Sequence, residues 1–435
     1  MPLSSDIVDE AIVIHSNSRE PEGLHMNNRK WVATAATALA MTALPISALA
    51  ADTPLRLGVV APLTGDLQSY GVPGLNGSRL AVDEINAAGG VMGSPIAINS
   101  GDTQTLPQPG VAAAQKLVNA NRVVGLVGAM SSGVTIPIAL SVSKANKVPQ
   151  ISGASTSPKI TDLDDGDYLF RTIPSDAFQG VALAKVVRDA GVDKVGVIYV
   201  NNDYGDGLQA AFKDAFEAAG GSVVGSAAYE QKQSSYQAEI SQAYGDGSTQ
   251  SMVLMGYPEN GQTILRQSLE GAKFDRFFFS DGMKSTDLVE NLGAQYLDGS
   301  LGTVPQTEEG GPAVKHFQSA YRKAYGELPP QPYIDTSYDA IYLLALAAQK
   351  AGNTTDGSKI RDALRDVAGP PGTKVYPGEW SKALKLLENG EDIDYVGAAG
   401  AEDFDANGDV AGSYAKWTIA EGKIKTVEIF TPEKP

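Results

Sequence analysis

The chain has no cysteine among its 435 residues. Disulfides, thiolate metal sites and cysteine nucleophiles are thereby excluded. Histidine is almost as scarce, with only His15, His25 and His316. The first two precede a secretory leader, so serine–histidine catalysis or a histidine-held metal in the mature chain would rest on His316 alone. No Gly-x-Ser-x-Gly elbow occurs, and His316 sits in a helical pattern among polar neighbours, which disfavours a hydrolase of that type. Positive charge is also short: 34 Lys and Arg stand against 51 Asp and Glu, for a formal net charge of −17 without a basic cluster. That balance argues against nucleic acid or an anionic membrane as partner. Beyond the leader, no segment has the roughly 18 uninterrupted apolar residues of a membrane helix.

What is present fits a globular protein. Hydrophobic residues make up 43% and charged residues 20%, enough for a sizeable core, and the length suits two or three domains. The leader begins with Met26-Asn27-Asn28-Arg29-Lys30, continues through the apolar, alanine-rich stretch Trp31 to Leu44, and is broken by Pro45. Ala48-Leu49-Ala50 supplies a small-x-small cleavage signal. Without a cysteine after it, no lipid anchor is expected there. Residues 1–25 precede an already complete leader, so translation is expected to start at Met26, with 1–25 a non-native extension. The mature product is expected in the periplasm as a soluble monomer.

From Leu55 onward, short apolar runs alternate with helical patterns. Leu55 to Val60, Pro95 to Asn99, Val123 to Val127 and Val148 to Ile151 read as strands, with helices at Leu75 to Ala88 and Val111 to Asn121 between them. A second series starts after Pro174. Its strands are Val195 to Val200, Val223 to Ala227, Met252 to Met255 and Phe277 to Phe279, and its helices Gly207 to Ala219, Tyr236 to Tyr244 and Asn260 to Leu269. Alternation of this kind means parallel sheets covered by helices, and two series imply two doubly wound α/β domains. The tail reads as helices at Ala313 to Tyr325, Ser337 to Ala351, Ser358 to Val367 and Glu379 to Glu388, then a hairpin of Tyr414 to Ile419 with Ile424 to Phe430.

The segment Val123 to Pro158 carries the most chemistry. One strand ends in a turn bearing Ser131 and Ser132, the next in Ala154-Ser155-Thr156-Ser157. In open α/β sheets such turns lie at the carboxyl edge, where ligands bind, and helix N-termini there favour anions. The pair of turns suits a carboxylate. Tyr70, Tyr204, Tyr257 and Asp281 follow strand ends in the same way. Each tyrosine alone is as well explained by surface packing; together they favour a cleft. Other motifs have plainer readings. Gly205-Asp206-Gly207-Leu208-Gln209-Ala210 matches a dinucleotide fingerprint, but four residues separate it from the strand, which fits a loop-to-helix junction. Asp403-Phe404-Asp405-Ala406-Asn407-Gly408-Asp409 resembles the start of a calcium loop, yet its twelfth position is Tyr414; a turn beside the hairpin is the better reading. The acidic loop Asp162, Asp164, Asp165, Asp167 reads as solvated.

These residues in their order and spacing resemble the type I periplasmic binding proteins, specifically the leucine/isoleucine/valine-binding family of ABC-importer receptors. The resemblance covers 54–430. It rests on Leu57-Gly58-Val59-Val60-Ala61-Pro62-Leu63-Thr64-Gly65, Tyr70-Gly71, Ala81-Val82-Asp83-Glu84-Ile85-Asn86, Gly128 to Gly133 and Gly153 to Pro158. Phe170-Arg171-Thr172, Asp203-Tyr204-Gly205 and Phe404-Asp405 with Gly408-Asp409 complete it. It implies two Rossmann-like lobes joined by three crossovers, near Arg171–Pro174, Val304–Gln306 and Asp403–Gly408, closing on a ligand between them. Lobe one would be 54–171 plus 306–402, and lobe two 174–303 plus 409–430. The resemblance further implies an amino-acid ligand, branched-chain or otherwise apolar. Its carboxylate would meet Ser131, Ser132 and Ala154 to Thr156, and its ammonium Asp281; Tyr70, Tyr204 and Tyr257 would line the pocket. The partner would be an inner-membrane ABC permease, with no cofactor, no metal and no catalysis. One departure stands out: the family commonly has glutamate where this chain has Asp281. A receptor for an aromatic acid or amide, or an exported carboxylate enzyme, are the other readings. Processing after Ala50 predicts a periplasmic product whose intact mass begins at Ala51; an unprocessed cytoplasmic chain would refute it.

Overall fold

A computed structural model describes residues 53–308 and 310–433; the leader and the extension before it lie outside the described residues. Strand β1 (Arg56–Ala61) leads to helix α1 (Gln68–Ala87), then β2 (Ala97–Asp102), α2 (Pro107–Asn119) and β3 (Gly125–Gly128). Helix α3 (Ser132–Ile138) runs through a wider turn at 139–143 into α4 (Lys144–Asn146), followed by β4 (Gln150–Ser152) and β5 (Leu169–Arg171). All five strands pair in parallel, in the order β2-β1-β3-β4-β5. Successive side chains point to opposite faces of a strand. Val59 and Val127 accordingly join one buried cluster, and Val60 and Leu126 the other. Both faces are therefore covered, as parallel sheets require.

The second sheet is larger. Helix α5 (Asp176–Asp189) precedes β6 (Lys194–Val200), α6 (Asp203–Ala218), β7 (Ser222–Tyr229), α7 (Gln237–Tyr244), β8 (Ser251–Met255), α8 (Pro258–Glu270) and β9 (Arg276–Phe279). Two short helices, α9 (Thr286–Leu292) and α10 (Ala294–Leu297), lead to β10 (Leu301–Pro305). The chain then returns to the first sheet with α11 (Pro312–Tyr325), α12 (Ile334–Ala351), α13 (Gly357–Ala368) and α14 (Trp380–Glu388). A small sheet of β11 (Thr373–Val375), β12 (Ile393–Gly397) and β13 (Gly400–Ala401) lies beside them. It finally rejoins the second sheet as a hairpin, β14 (Tyr414–Ala420) and β15 (Lys423–Phe430), giving the order β15-β14-β10-β9-β8-β6-β7. The chain thus passes between the two sheets three times. Among the described residues no helix is long and apolar enough to cross a membrane.

Two differences from the sequence pattern have physical causes. β10 is a full strand, although its Leu-Gly-Thr-Val-Pro carries a weak strand signal. The reason is Gly302: a Cβ there would fall 2.4 Å from the Trp417 ring, so the neighbouring strand supplies the bulk that β10 lacks. α1 and α6 begin earlier than their apolar periodicity. The Asn202 side-chain oxygen caps α6, accepting the N–H groups of Tyr204 at 3.0 Å and Gly205 at 3.1 Å, which satisfies donors with no intrahelical partner. Gly205 is required there because a Cβ would lie 2.0 Å from the Val200 carbonyl oxygen. The junction is thus a tight strand-to-helix turn.

The crossovers are tied by one buried ion pair. Arg171, at the end of β5, is fully buried; its Nε donates to Asp409 Oδ1 at 2.6 Å and its Nη2 to Oδ2 at 2.7 Å. Asp409 closes the Asp405–Gly408 turn, in which Asp405 Oδ1 accepts the N–H groups of Asn407 at 2.8 Å and Asp409 at 3.0 Å. The acidic loop is also engaged: Asp167 takes both terminal nitrogens of Arg365, at 3.0 and 2.7 Å. Removing one member of a buried pair leaves the other charge uncompensated. Arg171→Met is expected to lower stability by about 3–5 kcal/mol in urea unfolding; a loss under about 1 kcal/mol, as for a surface pair, would contradict this account.

Candidate functional site

The loop after β1 is gathered by Asp102, which ends β2. Its carboxylate accepts the N–H of Leu63 at 3.0 Å, the N–H of Thr64 at 3.2 Å and the Thr64 hydroxyl at 2.6 Å. α1 docks directly on this loop: a Cβ on Gly71 would lie 2.0 Å from the Pro62 carbonyl oxygen. The first turn of α1 therefore aims Tyr70 across the cleft. Its hydroxyl lies 3.1 Å from the Gly282 carbonyl oxygen and 3.0 Å from that of Lys284.

Those carbonyls belong to the turn after β9, whose first residue is Asp281. Its carboxylate is buried and gripped on both oxygens. Oδ1 accepts from the Tyr204 hydroxyl at 2.6 Å and from Gln179 Nε2 at 2.9 Å, and Oδ2 accepts from the Tyr333 hydroxyl. Burial raises the Asp281 pKa, and the bonds from Tyr204, Tyr333 and Gln179 oppose that rise. The Tyr204 and Tyr257 rings stack with centroids 5.8 Å apart. The Tyr257 hydroxyl bonds Ser131 Oγ at 2.9 Å and accepts from Asn202 Nδ2 at 3.0 Å.

These groups enclose a cavity of about 20 Å³, room for about one water molecule. Of the nine residues singled out in the sequence, Tyr70, Ser131, Ala154, Tyr204, Tyr257 and Asp281 line it. Ser132, Ser155 and Thr156 are buried close by but point their hydroxyls elsewhere. Ser132 Oγ accepts the Ser157 N–H at 3.2 Å, and Ser155 Oγ bonds Thr135 Oγ1 at 2.7 Å. Thr156 donates to Asp176 Oδ2 at 2.7 Å. Leu67, Met130, Gly282 and Tyr333 complete the lining.

Two contributors escaped the sequence reading. Tyr333 ends no strand; it follows the Pro329-Pro330-Gln331-Pro332 loop and holds φ at +76°, a conformation uncommon for a bulky residue and often found at functional positions. Asp176 opens α5, is fully buried, and its Oδ1 has no hydrogen-bond partner. Burial first, then the Asp281 charge, pushes its pKa well up. The site thus brings two buried carboxyl groups together. Among the described residues no lysine, arginine or histidine lines this cavity, and Arg171 is committed to Asp409. Such a site can hold a small cation. His316 is remote in role: on α11 it bonds Glu84 at 2.9 Å, which raises its pKa.

Two parallel-sheet lobes joined by three crossovers, with strand-end turns facing each other across a cleft, define the type I periplasmic binding class. The sequence profile described as "Periplasmic binding protein" matches residues 54–377, and the chain belongs to that family. It is 30% identical over 330 residues to the leucine-, isoleucine-, valine-, threonine- and alanine-binding protein of Pseudomonas aeruginosa, covering 75% of this chain and 86% of that one. It is 29% identical to the Leu/Ile/Val-binding protein BraC3 of Rhizobium johnstonii, over 75% of this chain and 88% of that one. Among solved structures, the leucine-binding protein LivK of Thermotoga maritima superposes with a TM-score of 0.74 at 24% identity, covering 87% of this chain and 99% of that one. A solute-binding protein of R. palustris in complex with 4-hydroxybenzoate reaches 0.71 at 19% identity, covering 88% and 98%.

The raised pKa of Asp176 has a sign that can be tested. Its folded value lies above the ordinary 3.8, so the folded chain keeps a proton that the unfolded chain has released. Stability from this group is therefore present below about pH 4 and is lost as pH rises through the folded value. Asp176→Asn removes the loss. Urea unfolding should show the variant gaining on the wild type steadily as pH rises from 4 to 8; a pH-independent difference would contradict the assignment.

Proposed function

We propose that this protein is the periplasmic receptor of an ABC importer and binds an apolar amino acid, of the branched-chain kind, between its lobes. The observation that carries the reading is Asp281: a buried carboxylate at a strand end, with no cationic side chain lining its cavity, across from a hydroxyl-bearing turn. A ligand ammonium would take the place of the tyrosine hydroxyls on Asp281 and bring the missing positive charge. The carboxylate would meet Ser131 and the Ala154 turn, with Ser132, Ser155 and Thr156 holding those turns in shape. Leu67, Met130 and the four tyrosines offer an apolar wall for the side chain. The lobes would be 54–171 with 306–402, and 174–303 with 409–430. A cavity of about 20 Å³ is far below the several hundred Å³ of ordinary ligand pockets, so the ligand enters an opened cleft and the lobes close over it. An inner-membrane ABC permease would then receive the ligand from the closed form.

The four tyrosines favour one second reading, a receptor for a hydroxylated aromatic acid. Asp281 weighs against it. An acid without an ammonium would place its charge in a cavity lined by the Asp281 carboxylate, and like charges at short range in a low dielectric repel.

A thermal-shift and calorimetric screen decides between them. L-leucine, L-isoleucine or L-valine at 100 times its dissociation constant is expected to stabilise the protein by about 2.7 kcal/mol, with 4-hydroxybenzoate giving no shift. Asp281→Ala is expected to lose about 2–5 kcal/mol of amino-acid binding, on the order of 30- to several-thousand-fold. Unchanged affinity in that variant, or a stronger response to 4-hydroxybenzoate than to any amino acid, would overturn the proposal.

A further inference from the structure

Asp66 is a buried carboxyl group that the ligand reading leaves unused. It stands in the loop between β1 and α1, on the first sheet's lobe, and is 5% exposed. The groups around it nevertheless come from the second lobe. Its Oδ2 accepts from Gln231 Nε2 at 2.7 Å, and Gln231 lies in the loop after β7. Lys232, next in that loop, acts on Asp66 through its charge, and Asn260 on α8 through its side chain. The backbone is strained on both sides of the contact. Gln104 and Thr105, in the loop after β2, hold φ at +52° and +57°, and Lys232 holds +65°. Left-handed residues other than glycine cost energy and gather at clamps and switches. Thr105 Oγ1 accepts the Leu67 N–H at 3.1 Å, so the loop after β2 fixes the chain beside Asp66. Leu67 lines the interlobe cavity, whereas Asp66 and Gln231 do not. The Asp66–Gln231 bond therefore depends on whether the lobes are shut and not on what lies between them.

We propose that the Asp66–Gln231 hydrogen bond is a proton-linked latch between the lobes, which holds the closed form with or without a guest and tightens as the medium acidifies. It rests on the amino-acid reading only for the identity of the guest. Closing the lobes takes the Asp66 carboxyl out of water, which disfavours its charged form. Burial accordingly raises its pKa above the ordinary 3.8, against the opposing pull of Gln231, Lys232 and Asn260. Parting the lobes returns the group to water and to its ordinary value. The closed form therefore binds a proton more tightly than the open form. Its contribution to closure is full below about pH 4 and is lost as pH rises through the closed-state value. Besides Lys232, the titratable groups that face Asp66 from the second lobe are Tyr229, Tyr236 and Tyr257. Burial lifts all three phenols above their ordinary range, so they stay neutral where a carboxyl titrates.

The test follows L-leucine exchange by stopped flow in the full mature chain, with wild type, Gln231→Leu and Asp66→Asn. Gln231→Leu removes the donor and loosens the closed form with and without a guest. Association and dissociation should both quicken, each roughly two- to tenfold, while the dissociation constant moves far less than either rate. A residue that only touches the guest would change dissociation alone. Asp66→Asn keeps an acceptor for Gln231 and cannot ionise. It should exchange like the wild type at about pH 4 and more slowly than the wild type toward about pH 8. Melting curves serve as the folding control, and the comparison with Asp66→Asn decides the matter should Gln231→Leu not fold. Small-angle scattering of the free proteins repeats the test without a guest: at neutral pH, Gln231→Leu should have a larger radius of gyration than Asp66→Asn. If L-leucine does not bind the wild type, the amino-acid reading fails and scattering alone decides on the latch. Equal radii in all three proteins, a pH-independent ratio of wild-type to Asp66→Asn rates, or a Gln231→Leu variant with faster dissociation at an unchanged association rate would overturn the latch.

Discussion

The Arg171 guanidinium is the fixed point of the molecule. It is fully buried, and its donors are matched: two to Asp409, one to the Ser157 carbonyl oxygen at 2.9 Å and one to Thr161 Oγ1 at 2.8 Å. A buried ion pair repays its desolvation only with such matching. Arg171 and its partners together span three places: the end of β5, the hydroxyl-rich turn after β4 with the segment that follows it, and the third crossover. The same side chain therefore positions a wall of the cleft and anchors the hinge. The Arg171 charge reaches Asp176, whose pKa it lowers, but Asp409 claims its donors. The cleft itself is left with carboxyls and hydroxyls.

That division of charge defines the site. Asp281 and Asp176 would each be easier to accommodate in water. Burial raises both pKa values, and the Asp281 charge raises that of Asp176 further, while tyrosine, threonine and glutamine donors hold the two groups in place. On the proposed amino-acid reading, a cleft built this way discriminates by charge before shape, drawing in a cation and repelling a simple anion. Tyr204 and Tyr333 reach in to meet the short Asp281 side chain.

Much of this was legible in the chain. Short apolar runs bounded by glycine and hydroxyl turns marked eight of the ten strands that make up the two sheets before the hairpin; β5, only three residues long, and β10 were not marked. Helix starts were less legible, since Tyr70, Gly71, Tyr204 and Gly205 are chosen for close approach and for the cleft rather than for helix propensity. β10 escaped notice as a strand because Trp417 fills the space its glycine leaves. Ser131, Ala154, the three tyrosines and Asp281 all follow strand ends, and the fold gathers them at one place. Tyr333 and Asp176 were missed for a common reason: one sits on a proline-rich loop and the other at a helix start after a crossover. No local periodicity marks either as facing the cleft; only the tertiary fold brings them there.

The grip on Asp281 also has a kinetic side. Tyr70 and Tyr333 bond across the cleft to the turn after β9, so the closed shape is held by the protein's own hydrogen bonds and does not depend on a guest. Only the fraction of molecules that have released these bonds can accept one, and the apparent dissociation constant rises as that fraction falls. Capture is then paced by opening, and a guest once enclosed leaves no faster than the lobes part. On the proposed reading, such a receptor trades speed of uptake for length of stay, and the balance between the two is set by the hydroxyls of Tyr70 and Tyr333.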